Sequence, residues 1–185
     1  QWHRRYNERG LLTETRDPSG SIWRYDYNDK GQLETLTDPE GGKRQLQWNS
    51  QFELLKEIDA DGRTMEYGYD SWSRIHRVTD ASGRTTRYEY NSAGRITKIT
   101  DAKGDITQLL YNAAGQVTRI IDNNGRATEY RYSGFAQVEE RVDANGHRLQ
   151  YQYDNERNLI GLINEKGERY QLKYDGNERL IEEIG

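Results

Sequence analysis

Aspartate recurs at one fixed spacing along the chain, and its carboxylate oxygens could in principle ligate calcium. Aspartates stand every 21 residues from Asp17 to Asp143, and Asn164 follows in the same phase. The segment 59–62 (Asp-Ala-Asp-Gly) resembles a fragment of a calcium-binding loop. The twelve-residue calcium loop with its terminal glutamate is absent, however, as is the Gly-Gly-x-Gly-x-Asp repeat. A glycine three residues after each aspartate makes a turn the simpler interpretation. We therefore expect no metal site and no cofactor.

Other arrangements that could support catalysis lack a defining geometry. The 31 acidic residues allow many carboxylate pairs of the glycosidase type, and no spacing favours one of them. His3, His76 and His147 fall in different phases of the 21-residue period and form no metal-spaced cluster. There is no nucleophile elbow, no phosphate-binding loop and no cysteine. We expect that the chain is not an enzyme.

Aromatic rings supply the third possible chemistry, because exposed rows of rings stack on sugars or on single-stranded nucleic acid. One aromatic residue falls every 21 positions: Tyr6, Tyr27, Trp48, Tyr69, Tyr90, Tyr111, Tyr132, Tyr153 and Tyr174. Packing between neighbouring strands is the favoured interpretation of these rings, and a glycan ligand is the alternative. The net charge of −4 and the pI of about 5.5 weigh against nucleic acid as a partner.

These residues are positioned by an internal repeat of 21 residues, numbered here from the aromatic slot as position one. Position two is Asn or Asp in all repeats but one, position seven is always aliphatic, and position twenty is Tyr or Leu. Position twelve is aspartate, including Asp38, Asp59, Asp80, Asp101 and Asp122. Position fifteen is glycine, including Gly41, Gly62, Gly83, Gly104, Gly125 and Gly146. Eight full repeats cover residues 6–173, and a ninth begins at residue 174.

Each repeat predicts one β-hairpin and the link to the next. Asp-x-x-Gly at positions twelve to fifteen is a turn signal, and a weaker signal of the same kind occupies positions two to five. The stretches between the turns have strand length, and tyrosines two residues apart, such as Tyr88 and Tyr90, should point to one side. A second apolar residue that drifts between positions ten and eleven suggests a β-bulge there. We expect an all-β, antiparallel hairpin-repeat ribbon that coils, since so many twisted strands seldom stay flat.

The segment 90–104 resembles the YD repeat, also called the RHS repeat, and Tyr69-Asp70, Tyr153-Asp154 and Tyr174-Asp175 carry its eponymous dipeptide. The resemblance implies a ribbon of hairpins that spirals into a hollow shell. In bacterial toxins of this kind, the shell encloses a variable C-terminal toxic domain. The partners it implies are the rest of the shell and the enclosed toxin polypeptide. It also implies secretion, or injection by a bacterial secretion system, with the cell surface as a further possibility.

The expectation for the whole chain is a single repeat array over residues 1–185, forming a shell segment of a longer RHS-type toxin. No apolar run is long enough to span a bilayer, so direct membrane insertion by this segment is not expected. Asp17-Pro18 and Asp38-Pro39 superficially match the Asp-Pro motif near the self-cleavage point of bacterial shells, but both occupy ordinary turn slots. The alternative function is a cell-surface adhesion or carbohydrate-binding array.

Overall fold

The computed structural model describes all 185 residues, which form eighteen short β-strands and no helix. The chain divides into two compact units, Gln1–Tyr88 and Glu89–Gly185. The strands that begin in the first unit are β1 (His3–Tyr6), β2 (Leu12–Arg16), β3 (Ile22–Tyr27), β4 (Leu33–Thr37), β5 (Lys43–Trp48), β6 (Leu54–Ile58), β7 (Thr64–Tyr69), β8 (Ile75–Thr79) and β9 (Thr85–Tyr90). Those of the second unit are β10 (Ile96–Thr100), β11 (Ile106–Tyr111), β12 (Val117–Ile121), β13 (Ala127–Tyr132), β14 (Val138–Val142), β15 (Arg148–Tyr153), β16 (Leu159–Asn164), β17 (Arg169–Tyr174) and β18 (Leu180–Ile184). The predicted all-β, antiparallel hairpin-repeat fold is confirmed. No helix in the structure could cross a membrane.

Within each unit, every strand pairs antiparallel with the strand that follows it in sequence, and the pairing gives the sheet two different sides. In the β3–β4 hairpin, Tyr25 pairs with Leu36 and Tyr27 pairs with Leu33. Directly paired residues of antiparallel strands point to the same side. These four side chains therefore define an aromatic face, to which repeat positions one, seven, ten, eighteen and twenty contribute.

The opposite side of the same hairpins carries most of the charged residues. Arg24 pairs with Thr37 and Asp26 pairs with Thr35, so these side chains point away from the aromatic face. We call this side the charged face; it receives positions nine, eleven, seventeen, nineteen and twenty-one. Positions eleven and seventeen are exceptions to its polar character, because they hold aliphatic residues such as Ile121 and Ile22 in several repeats.

The β-bulge does not lie where the sequence suggested. In the β3–β4 hairpin the register shifts between Asp26 and Tyr27, so that Glu34, at position eight, is the extra residue of the opposing strand. The same shift recurs in the other hairpins closed by a position-two turn, for example between Arg131 and Tyr132. Positions ten and eleven pair regularly. The apolar residue drifts between them because position ten lies on the aromatic face and position eleven on the charged face.

Both turns of each repeat have the same geometry, although the sequence signal of one is weaker. In the position-twelve turn, Asp38 N donates to Gly42 O at 2.9 Å and Gly41 N donates to Asp38 O at 3.1 Å. In the position-two turn, Asp70 N donates to Arg74 O at 2.9 Å and Ser73 N donates to Asp70 O at 3.1 Å. The fourth residue of each turn adopts a positive φ, which glycine accepts without steric cost.

Five position-two turns place a residue other than glycine in the left-handed region: Phe52, Ser73, Ala136, Arg157 and Glu178, with φ between 58° and 72°. This conformation costs an L-residue roughly 1 kcal/mol because Cβ approaches the backbone. We expect Ala136→Gly to raise the free energy of unfolding by about 0.5–1 kcal/mol in urea denaturation. Ala113→Gly is the matched control, because Ala113 lies in an equivalent turn without a positive φ. It should lower stability slightly, and a gain at both sites would contradict the explanation.

No apolar side chain of the protein is fully buried. The tyrosines and aliphatic residues of the aromatic face are mostly half-buried, and the buried residues are three polar ones and a glycine: Thr15, Gln32, Glu140 and Gly161. Stability must therefore come from contacts between neighbouring strands repeated along the array, as in other repeat proteins, and not from one central core.

Candidate functional site

The carboxylate of each position-twelve aspartate is occupied by its own turn. Asp80 Oδ1 accepts hydrogen bonds from Ser82 N at 2.9 Å and from Arg84 N at 3.0 Å. Asp80 Oδ2 accepts from Arg84 Nε at 2.7 Å. The same Oδ1 bonds are made by Asp38, Asp59 and Asp122, and Asp101 accepts from Lys103 N and Asp105 N. These residues act in the structure as turn caps.

The glycines at position fifteen complete these turns. Their φ values lie between 77° and 91°, which places each of them in the left-handed region: Gly41, Gly62, Gly83, Gly104, Gly125 and Gly146. Nothing in the structure crowds the space where a Cβ would stand at these six positions. Backbone conformation alone therefore accounts for the choice of glycine.

No group of three or more His, Cys, Asp or Glu side chains comes close enough together to hold a metal ion. The three histidines lie apart: His3 is in β1, His76 is in β8, and His147 contacts Asp143 Oδ2 at 3.0 Å within its own turn. The geometry offers turn chemistry at the aspartates, and the His147–Asp143 contact belongs to one such turn.

The turn aspartates give the fold an expected sensitivity to acid. The hydrogen bond from Arg84, aided by two backbone N–H donors, lowers the pKa of Asp80 below its usual value of 3.8. Because the folded-state pKa is the lower one, the stabilisation is present above pH 3.8 and is lost as the pH falls through the folded pKa. Urea unfolding measured at several pH values should show this loss. Six other turn aspartates also have a lowered pKa. Asp80→Asn, which has no carboxylate to titrate at this site, should therefore reduce the acid dependence of the unfolding free energy without abolishing it; parallel profiles would contradict the assignment.

The position-one rings are tied to the backbone of the preceding hairpin. Tyr132 Oη donates to Val117 O at 2.7 Å, and Trp48 Nε1 donates to Leu33 O at 2.7 Å. The same bond, fifteen residues back in sequence, is made by Tyr27, Tyr69, Tyr111, Tyr153 and Tyr174. Tyr90 is half-buried in the same slot at the end of β9. Burial raises the pKa of Tyr27, Tyr69, Tyr132 and Tyr153.

Sequence reasoning placed these rings in a packing role but missed their hydrogen bond. A signal was available, because the nine position-one slots hold only tyrosine and tryptophan although the chain also contains phenylalanine. Tyrosine and tryptophan carry an N–H or O–H donor on the ring, and phenylalanine does not. The rings are therefore engaged with the sheet itself, which leaves them poorly placed to stack on an external ligand.

The charged face carries ion pairs between neighbouring strands, which sequence reasoning also missed. Glu140 is the most buried charged residue of this face, with 6% exposure. Its Oε1 lies 3.5 Å from Arg131 Nη1 and its Oε2 lies 2.9 Å from Arg148 Nη1, so β14 is tied to the strands on both sides. Pairs at equivalent positions join Glu14 to Arg5 and Arg24, Lys56 to Glu66, Arg119 to Glu129, and Lys98 to Glu89.

Comparison with known families assigns the repeat. A family model described as RHS Repeat matches residues 6–43, 69–106 and 111–138, which together make up more than half of the chain. The chain belongs to the RHS repeat family. The resemblance inferred from the YD dipeptides and the 21-residue period is confirmed, and the hairpins described above are RHS repeats. No curated protein matches the sequence.

Solved structures give the same fold for these RHS repeats. The crystal structure of TcdB2-TccC3 superposes with a TM-score of 0.79 at 17% sequence identity, covering 97% of this chain and 11% of that one. A second crystal structure, of TcdB2-TccC3 without the hypervariable C-terminal region, gives 0.79 at 16% identity with the same coverage. The chain thus spans about a tenth of the length of those proteins. At this identity the likeness shows the fold alone.

Proposed function

We propose that this chain is a wall segment of an RHS-type toxin shell, which encloses a toxic cargo domain and keeps it from the producing cell. The observation that carries the proposal is the series of RHS hairpins, in which neighbouring hairpins within each unit are hydrogen-bonded to one another. The wall of a shell needs strands whose backbone groups are hydrogen-bonded to their neighbours, and a sheet that can be extended without a central core. This chain has both. In this role the segment is structural and not catalytic.

The fold shared with TcdB2-TccC3 supports the proposal, because one of those structures lacks a hypervariable C-terminal region that the protein otherwise carries. A region of that kind is the cargo that we propose for the full-length protein. The shell and its cargo would be secreted or injected together. The partners of this segment would then be other repeats of the same shell and the enclosed polypeptide.

Limited proteolysis of the full-length protein tests encapsulation. An enclosed domain should survive as an intact fragment at protease concentrations that digest it after the shell is unfolded. Combining Tyr132→Ala with Glu140→Ala should weaken the wall and make the domain digestible, whereas Glu182→Ala, at an exposed site of the charged face, should leave it protected. Equal digestion in the folded and unfolded protein, or a full-length protein with no region beyond its repeats, would overturn the proposal.

A further inference from the structure

The ion pairs of the charged face follow a pattern that fails at one position-nine residue. Position nine is charged in seven repeats, and six of these residues pair with an opposite charge at position nineteen or twenty-one of a neighbouring strand: Glu14, Lys56, Lys98, Arg119, Glu140 and Glu182. The seventh is Arg77 in β8, which makes no ion pair. Arg77 is therefore a cation that the fold leaves without a counter-charge.

Neither strand beside Arg77 supplies a carboxylate to it. Gly68 of β7 and Arg87 of β9 are the residues directly paired with Arg77. Gly68 has no side chain, and Arg87 carries the same charge as Arg77 and makes no ion pair of its own. Cβ atoms of directly opposite residues lie about 5 Å apart, and like charges at this distance are destabilising. The fold thus holds two guanidinium groups together without neutralising either.

Equivalent strand pairs show which chemical group is absent. In the β6–β7 pair, Glu66 stands directly opposite Lys56, and its Oε1 lies 3.0 Å from Lys56 Nζ. In the β12–β13 pair, Glu129 stands directly opposite Arg119, and its Oε1 lies 3.3 Å from Arg119 Nε. Arg87 occupies the same repeat position as these two glutamates. The missing group is therefore one carboxylate, which guanidinium groups bind through paired, charge-assisted hydrogen bonds.

The backbone of Gly68 gives space to two side chains of β8. A Cβ at residue 68 would lie 3.2 Å from Arg77 Nε and 3.2 Å from His76 Nε2, closer than side chains normally approach. Gly68 is the only glycine at position twenty-one of the repeat, and glycine inside a strand often marks a close approach by another group. Arg77, Arg87 and His76 are all exposed, so their side-chain nitrogen atoms are open to a ligand.

The acidic residues on the adjoining strand positions are already engaged. Glu66 of β7 is bound to Lys56, and Glu89, two residues after Arg87 in β9, contacts Lys98 Nζ at 2.8 Å. A sulfated polysaccharide or a nucleic acid carries closely repeated anionic groups, which would bring further negative charge against Glu66, whose side chain is 46% exposed. An isolated carboxylate avoids that repulsion.

From this pattern we infer that Arg77 and Arg87 bind a single acidic side chain, glutamate or aspartate, of another polypeptide segment. The carboxylate of the ligand would accept hydrogen bonds from both guanidinium groups, as the Glu140 carboxylate accepts them from Arg131 and Arg148. Small-molecule sites are concave and enclose most of their ligand, whereas both arginines are exposed on an open side of the sheet. The acidic side chain should therefore belong to a polypeptide that makes further contacts around it. This site does not depend on the proposed shell function.

Titration of the ¹⁵N-labelled chain with the peptide acetyl-Gly-Gly-Glu-Gly-Gly-amide, followed by NMR, tests the inference. The Nε–H signals of Arg77 and Arg87 should shift with this peptide and stay unchanged with its glutamine counterpart. Arg87→Glu should weaken binding about tenfold or more, because it removes one charged donor and fills the site from within the chain. The same variant should raise the unfolding midpoint, because it replaces a repulsive cross-strand pair with an attractive one.

Glu129→Arg is the matched variant in the second unit. It puts a like charge directly opposite Arg119, and it should create a second site for the glutamate peptide while it lowers the unfolding midpoint. The inference is overturned if the glutamate and glutamine peptides act alike, if Arg87→Glu binds like the unmodified chain, or if Glu129→Arg gains no binding. It is also overturned if inorganic phosphate or heparin shifts the two arginine signals at concentrations at which the glutamate peptide does not.

Discussion

Tyr132→Ala is expected to lower the free energy of unfolding by about 3 kcal/mol, the largest single-residue effect in the array. Truncation of a fully buried aromatic residue costs about 3–5 kcal/mol. Tyr132 is half-buried, which reduces that cost, but it also donates to Val117 O, a bond worth about 1 kcal/mol. Urea or thermal unfolding of the 185-residue chain measures the change.

Two conservative variants at the same site separate the ring from its donor. Tyr132→Phe keeps the packing and loses the hydrogen bond, so it should cost about 1 kcal/mol. Tyr132→Trp should cost less than Tyr132→Phe, because Trp48 makes the equivalent bond in this slot. If Tyr132→Phe were as stable as the unmodified chain while Tyr132→Trp were destabilised, the ring donor would have no part in holding the ring.

Glu140→Ala is the second variant with a large expected effect, a loss of about 1–2 kcal/mol. Removing one partner of a fully buried ion pair costs about 3–5 kcal/mol. Arg131 and Arg148 are themselves 73% and 52% exposed and can turn to water, so the smaller figure applies here. The loss should be accompanied by faster amide hydrogen exchange in β13 and β15.

The matched control for this variant occupies the same repeat position on an exposed pair. Glu182 contacts Lys173 at 2.7 Å, and both side chains are about half exposed. Glu182→Ala should therefore change stability by less than about 0.5 kcal/mol. Equal losses from Glu140→Ala and Glu182→Ala would show that burial does not set the value of these ion pairs.

The strands, the turns and the family could be predicted because each is encoded by residues close together in sequence. Asp80 and Gly83 define a turn within four residues, and the spacing of Tyr88 and Tyr90 defines a side of a strand. Repetition strengthened these local signals, since most copies carry the same residue type at the turn and strand positions. The confirmed predictions are therefore those that depend on residues close together in sequence and on the 21-residue period.

The ion pairs of the charged face could not be predicted, because they depend on the register between strands. Glu140 meets Arg131 only because the bulge shifts the pairing by one residue just before Tyr132. The sequence suggested a bulge at positions ten and eleven of the repeat, whereas the extra residue lies at position eight. Without the correct register, each acidic residue of the charged face has several equally plausible partners on the next strand.

The exposed turn rings were missed for a different reason. Phe52 and Trp72 depart from the repeat pattern. In the sequence, their turns look only like weakened copies of the position-two turns that contain glycine. Loss of glycine at position five is informative once the backbone shows that the left-handed conformation is retained. Departures from the consensus that leave the geometry unchanged are the places where a repeat protein carries information beyond its fold.

The bond from position-one rings to a carbonyl fifteen residues earlier has a consequence for how such genes change. Seven repeats are anchored in this way to their immediate predecessors, so removal or duplication of any multiple of 21 residues among them rejoins equivalent partners at the seam. Recombination between repeats can then lengthen or shorten the array one hairpin pair at a time without passing through a misfolded intermediate. An insertion or deletion of any other length would break this hydrogen bond. Selection against such changes would preserve the 21-residue period, which is free of insertions over all nine position-one residues.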